Sequence, residues 1–118
     1  MTSSKHSLMY LRFLNLINAI RKIPTFPNLD PVEERLLNQL AATWHAGQKI
    51  SVLEAMGLST EISATTAHRR LKTLIKKGMI ALDTDQTDSR IKYVVPTNLT
   101  TDYLTSIGQA LEQAQLAG

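Results

Sequence analysis

The 118-residue chain contains no cysteine. That excludes a disulfide framework, thiolate chemistry and any thiolate metal site, and it fits a reducing compartment. Aromatic residues make up only 5% of the chain. No apolar run approaches the roughly 20 residues needed to cross a bilayer. Met1 to Tyr10 show no cleavable-signal pattern, so a cytoplasmic location without membrane contact is expected. The three histidines, His6, His45 and His68, lie at no metal-ligand spacing from one another. Glycine-rich phosphate loops, GxSxG turns and HExxH helices are all missing. The residues therefore imply no metal, no cofactor and no enzymatic centre, and they identify no small-molecule effector.

What is present is an ordinary folding composition, 43% hydrophobic and 19% charged, with enough chain for one modest core. Net charge is +3, but its distribution is uneven. Between Ser63 and Lys77 lie Arg69, Arg70, Lys72, Lys76 and Lys77 with no acid among them, which leaves the rest of the chain slightly negative. A localised basic patch is the electrostatic footprint of a polyanion binder. A solvated helix face is the plainer alternative.

The pattern along the chain predicts a mainly helical fold with a small β-hairpin. Ser7 to Ile23 reads as a first helix, with Leu8, Met9, Tyr10, Leu11, Phe13, Leu14, Leu16, Ile17 and Ile20 spread over more of its circumference than one core-facing stripe needs. Such a helix is covered on two sides, either by a second copy of the chain or as the centre of one subunit's core. Pro24 and Pro27 end it. Asp30, Pro31 and Glu33 form a capping-box start for a second helix carrying Leu36, Leu37, Leu40, Ala41 and Trp44, and Gly47 stops it. Lys49 and Ile50 read as extended. Ser51 and Glu54 form a second capping box for a short helix, Val52 to Met56, ended by Gly57, with Leu58 available to plug the core.

Ser63 then caps a longer helix that runs to Lys77, with Gly78 after it. From there the period changes from helical to alternating. Met79 to Asp83, with Ile80 and Leu82 on one side, and Ile91 to Val95, with Ile91, Tyr93 and Val95 alternating with Lys92 and Val94, read as two strands. The polar loop Thr84 to Ser89 joins them. A last helix over about Thr100 to Gln115 places Leu104, Ile107, Leu111 and Ala114 on one face. The expected organisation is one domain: an N-terminal dimerisation helix (1–28), a core (29–97) and a C-terminal helix (98–118).

A short helix, a turn, a longer basic helix and a polar-tipped hairpin make a winged helix-turn-helix, here from Ser51 to Thr97 with extra helices at both ends. In that arrangement helix 63–77 enters the major groove. Ala67, Leu71 and Leu74 fall behind it. At about 100° per residue Thr65, Thr66, Arg69, Lys72, Thr73 and Lys76 fall in front, with Ser63 at the leading end. Arg69 is central and suited to a bidentate guanine contact. Thr65 and Thr66 lie where base edges are met, and Lys72 and Lys76 suit phosphates. Arg70 and Lys77 point sideways, either to flank the duplex or to pair with an acid. His68 packs or caps. In the wing, 84–90, Arg90 is the minor-groove candidate, and Asp88 can hold its guanidinium. Asp83 and Asp85 have no account beyond turn chemistry.

The segment "DSRIKYVVPT", Asp88 to Thr97, resembles the wing signature of MarR-type transcriptional regulators, and "ATTAHRRLKTLIKKGMI", Ala64 to Ile80, resembles their recognition helix and the glycine turn after it. The resemblance spans about residues 30 to 115. It implies a homodimer with interlocked N- and C-terminal helices that represses or activates promoters. Arg90 matches the wing arginine, and Thr65, Thr66 and Arg69 match the base-reading face. The chain departs from the family in three ways. Ser89 stands where a second basic residue is common, the turn Ser59 to Ile62 is longer, and the whole chain is short. The expected function is a sequence-specific regulator reading double-stranded DNA. The competing expectation is a winged helix used only for protein interaction.

Overall fold

A computed structural model describes residues 4–116. The elements follow in the order α1 (Lys5–Arg21), α2 (Pro31–His45), α3 (Val52–Met56), α4 (Ala64–Lys76), β1 (Ile80–Thr84), β2 (Lys92–Pro96) and α5 (Asn98–Leu116). They divide into two compact units. Leu29–Thr100 forms one, and the described residues before and after it form the other.

Local chemistry sets the helix boundaries of the Leu29–Thr100 unit. Asp30 and Ser51 each accept the backbone N–H three residues on, at 2.8 and 3.1 Å, while Glu33 and Glu54 reach back to the capping residue's own N–H. Ser63 accepts from Thr66 N–H at 3.1 Å and so starts α4. Two helices close on glycines in the left-handed region, Gly47 at φ 78° and Gly78 at φ 79°. There the chain folds back so that Gln48 N–H meets the Thr43 carbonyl and Met79 N–H meets the Leu74 carbonyl, a closure that favours a residue without a Cβ.

The core of this unit is built from one stripe of each helix. Leu36, Leu37 and Leu40 of α2 meet Ala67, Leu71 and Leu74 of α4, with Ala55 of α3, Ile50, Met79, Ile80 and Val94, all buried. Full burial of each large aliphatic side chain stabilises the fold by about 1.5–3 kcal/mol. Trp44 is half-buried and donates its indole N–H to the Val94 carbonyl at 3.0 Å. The Ile50 carbonyl accepts from Val94 N–H at 2.8 Å, and Ser51 forms an isolated antiparallel bridge with Tyr93. Leu58 is only half-buried. At the far end Thr100 is fully buried, donating to the Met79 carbonyl.

The hairpin departs from the alternation expected of it. Its register pairs Ile80 with Pro96, Leu82 with Val94 and Thr84 with Lys92. Ile80 is buried, but Leu82 on the same side is 46% exposed. On β2 the buried residue is Val94 rather than Ile91, Tyr93 or Val95. The strands leave the core after one step, so only their base is covered. Ile91 precedes β2 and belongs to the wing turn.

In the other unit, α1 is capped by Ser4, which accepts Ser7 N–H at 3.0 Å. Of its many apolar residues only Ile17 is buried. Leu8, Tyr10 and Leu11 are 45%, 58% and 51% exposed. The buried stripe of α5 here is Tyr103, Ala110 and Ala114, with Ile107 half-buried. Of the expected face, Leu104 is only half-buried and Leu111 is exposed. The shift by one residue follows from size and shape. The small Ala110 and Ala114 are fully covered, and the Tyr103 ring meets Phe26 edge-on at 5.3 Å, a favoured aromatic geometry.

Candidate nucleic-acid interface

Helix α4 carries three stripes, each with spacings of three and four. Ala67, Leu71 and Leu74 form the buried one. Arg69, Lys72 and Lys76 form an exposed one, and among the described residues no ion pair or side-chain hydrogen bond engages them. Ser63 and Thr65 at the leading end are also exposed. Thr66 is half-buried. Its hydroxyl accepts from Ser63 Oγ at 3.0 Å, which leaves its own proton free to donate.

The third stripe is Arg70, Thr73 and Lys77, and it corrects the expectation for Thr73. That side chain does not join the open face. Its hydroxyl lies 2.8 Å from Glu33 Oε2 and 2.9 Å from the Arg70 carbonyl. Lys77 Nζ meets Glu33 Oε1 at 2.7 Å, and Arg70 Nη1 meets Asp30 Oδ2 at 3.0 Å. Of the two roles open to Arg70 and Lys77, pairing with an acid is the one found. Burial pushes the Glu33 carboxyl up, but the Asp30 N–H, Lys77 and Thr73 bonds outweigh it and leave its pKa below the ordinary value. Glu33 is therefore a buried anion held by a full set of donors, as a buried charge requires.

The wing is organised by Asp85. Its Oδ2 accepts from Thr87 N–H, the Thr87 hydroxyl and Asp88 N–H at 3.0, 2.8 and 2.9 Å, and its Oδ1 accepts from Tyr93 at 3.0 Å. These bonds, those from Thr87 first, hold its pKa down at about 2. Lys49 Nζ lies 5.2 Å from the Tyr93 ring centroid. Asp88 holds Arg90 in a two-point pair, Oδ1 to Nε and Oδ2 to Nη2, both 3.0 Å. The Arg90 side chain is still 89% exposed, so it is oriented without being hidden. Asp83 is exposed. A cavity of 620 Å³ opens between α3 and β2, lined by Leu53, Met56 and His68 beside Arg90.

The reading of the residues missed Asp85 as the hub. The signal was present, because Asp-x-Thr is an Asx-turn pattern. It also read Asp30 and Glu33 only as caps. An aspartate whose folded pKa is depressed adds stability above its unfolded value of about 3.9 and loses it as pH falls toward the folded value. The stability that Asp85 lends the wing is thus expected to be constant from neutral pH to about 4 and to decline between there and about 2. At pH 7, Asp85→Asn is expected to speed amide exchange at Thr87 and Asp88 and leave α4 unchanged. Unchanged exchange at both wing amides would refute the assignment of the hub.

Among the described residues no helix is long and apolar enough to cross a membrane, and no group of His, Asp or Glu could hold a metal ion. Neither a family model nor a curated protein matches the sequence. Solved structures do. Staphylococcus aureus MarR in complex with salicylate and kanamycin is 21% identical, over 92% of this chain and 67% of that one, with a TM-score of 0.60. The heme sensor protein PefR from Streptococcus agalactiae, in complex with heme, is 24% identical over 88% and 65%, at 0.57. The adhesin competence repressor AdcR from Streptococcus pyogenes is 19% identical over 98% and 79%, at 0.54. Identities this low speak for the fold alone. Helix, turn, basic helix and antiparallel hairpin, flanked by a helix at either end, are the fold of the MarR-type winged-helix regulators, and this chain has it.

Proposed function

We propose that this chain is a sequence-specific regulator of transcription that binds double-stranded DNA as a homodimer. The observation that carries the reading is the exposed stripe Arg69, Lys72 and Lys76 on α4, opposite its buried face and unpaired among the described residues. An interaction module has no need of three aligned cations. In this reading Ser63, Thr65, Thr66 and Arg69 face base edges, Lys72 and Lys76 face phosphates, and Arg90 enters the minor groove from the wing. Thr73 serves from behind α4.

The dimer rests on apolar surface. Leu8, Tyr10 and Leu11 of α1 and Leu111 and Leu116 of α5 are all at least 45% exposed. Apolar surface gathered on one pair of helices marks an interaction site. Pairing through these helices would set two recognition helices about 34 Å apart, one turn of DNA, on a pseudo-palindromic site.

Salt dependence tests the proposal. Lys72 and Lys76 from two copies give about four phosphate-facing cations, so affinity is expected to fall about a hundredfold between 50 and 200 mM salt. Selection from a random duplex pool is expected to return paired half-sites. Binding that is undetectable at low salt, or indifferent to salt, would overturn the reading in favour of the protein-interaction module.

A further inference from the structure

We propose that Asp30 and Glu33, at the start of α2, are positioning residues that fix the rotation of α4 about its own axis, through Arg70, Thr73 and Lys77. This rests on the reading of α4 as the DNA-contacting helix.

The geometry is a clasp with few free parts. Asp30 Oδ1 caps α2 at Glu33 N–H, while Oδ2 takes the Arg70 guanidinium. Glu33 Oε1 takes Asp30 N–H and Lys77 Nζ, while Oε2 takes the Thr73 hydroxyl. The carboxyl is 1% exposed, and no oxygen of it lacks a donor. Arg70, Thr73 and Lys77 each stand one position after Arg69, Lys72 and Lys76, so the clasped stripe lies about 100° around the helix from the exposed one. Holding one stripe therefore aims the other.

The apolar stripe alone would leave α4 some freedom to roll, because dispersion and the hydrophobic effect are non-directional. Charge-assisted hydrogen bonds are directional and short. A roll of about 20° moves a side-chain tip, about 5–6 Å from the axis, by about 2 Å. That is enough to break a two-point contact between Arg69 and a guanine. The clasp also removes Arg70 and Lys77 from the phosphate-binding set, although composition counts them in the basic patch.

The test exploits opposite expectations. If Glu33 were only an acid near DNA, Glu33→Gln would relieve repulsion and tighten all duplexes alike. If it positions α4, Glu33→Gln lowers affinity for the duplex recovered by selection about tenfold, roughly one lost base contact, and leaves random duplex unchanged. Lys77→Gln behaves the same way, with the salt slope intact. A slope reduced by about one, with all sequences weakened equally, would mean that Lys77 touches phosphate and would overturn the clasp.

Asp30→Asn keeps a capping oxygen and serves if Glu33→Gln fails to fold. It is expected to show the same selective loss, and tightening or no loss overturns the proposal. Should the unaltered chain bind no duplex, the functional reading fails and the clasp is judged by hydrogen exchange. Faster exchange in the last turn of α4 in Lys77→Gln supports it, and unchanged exchange refutes it.

Discussion

Arg69→Ala is expected to lower affinity for the selected duplex by about 1–3 kcal/mol, the discrimination that one bidentate base contact supplies, while affinity for random duplex changes little. Arg69 is exposed on the face opposite Ala67, Leu71 and Leu74, and among the described residues no carboxylate pairs with it. In the proposed complex its guanidinium would enter the groove without first breaking an ion pair. Lys76, the last residue of α4, is a point charge better suited to phosphate. Lys76→Ala is expected to weaken selected and random duplexes by the same factor and to reduce the salt slope by about one per protomer. Competition titrations against both duplexes at several salt concentrations separate the two outcomes. Equal losses on both duplexes for both variants would show that the face is assigned wrongly.

Leu74→Ala is expected to cost about 2–5 kcal/mol of folding stability, the range for truncating a buried leucine and leaving a cavity. Leu74 is fully buried on the inner stripe of α4, in the core to which Leu36, Leu37 and Leu40 contribute. Small domains are stable by only about 5–15 kcal/mol, so this single change consumes a large share. Leu53 is the control. It is 78% exposed on α3, and Leu53→Ala is expected to stay within about 0.5 kcal/mol. Urea titration should show a lower midpoint for Leu74→Ala with its slope unchanged. A loss no larger than that of Leu53→Ala would contradict the core described for Leu29–Thr100.

The helix-turn-helix could be read from the residues because its signals are short. Ser63 and Thr66, Ser51 and Glu54, and Asp30 and Glu33 act across three residues. The glycines at 47 and 78 act within one turn. Hydrophobic spacing then identified the inner face of α4, because a helix repeats its faces whatever it packs against. The strands were read less well. A period of two says that faces alternate but not how far a hairpin stays over the core, and Leu82 lies beyond that edge. On α5 the large Leu104 and Leu111 were favoured over Ala110, since composition ranks size and packing ranks fit.

By itself the sequence determined the order of helices, the caps of α2, α3 and α4, the change of period at Gly78 and the basic stripe of α4. Each depends on interactions within a few residues and survives any tertiary context that keeps the helix. Only the tertiary structure decided which cations of that helix remain open. Glu33 stands 40 residues from Thr73 and 44 from Lys77, and no local pattern predicts that its two oxygens converge on them. Burial is the physical reason. Once Leu36, Leu37 and Leu40 bring α2 against α4, a carboxylate at the edge of that contact must find donors. It finds them in Thr73 and Lys77, leaving Arg69, Lys72 and Lys76 to face outward.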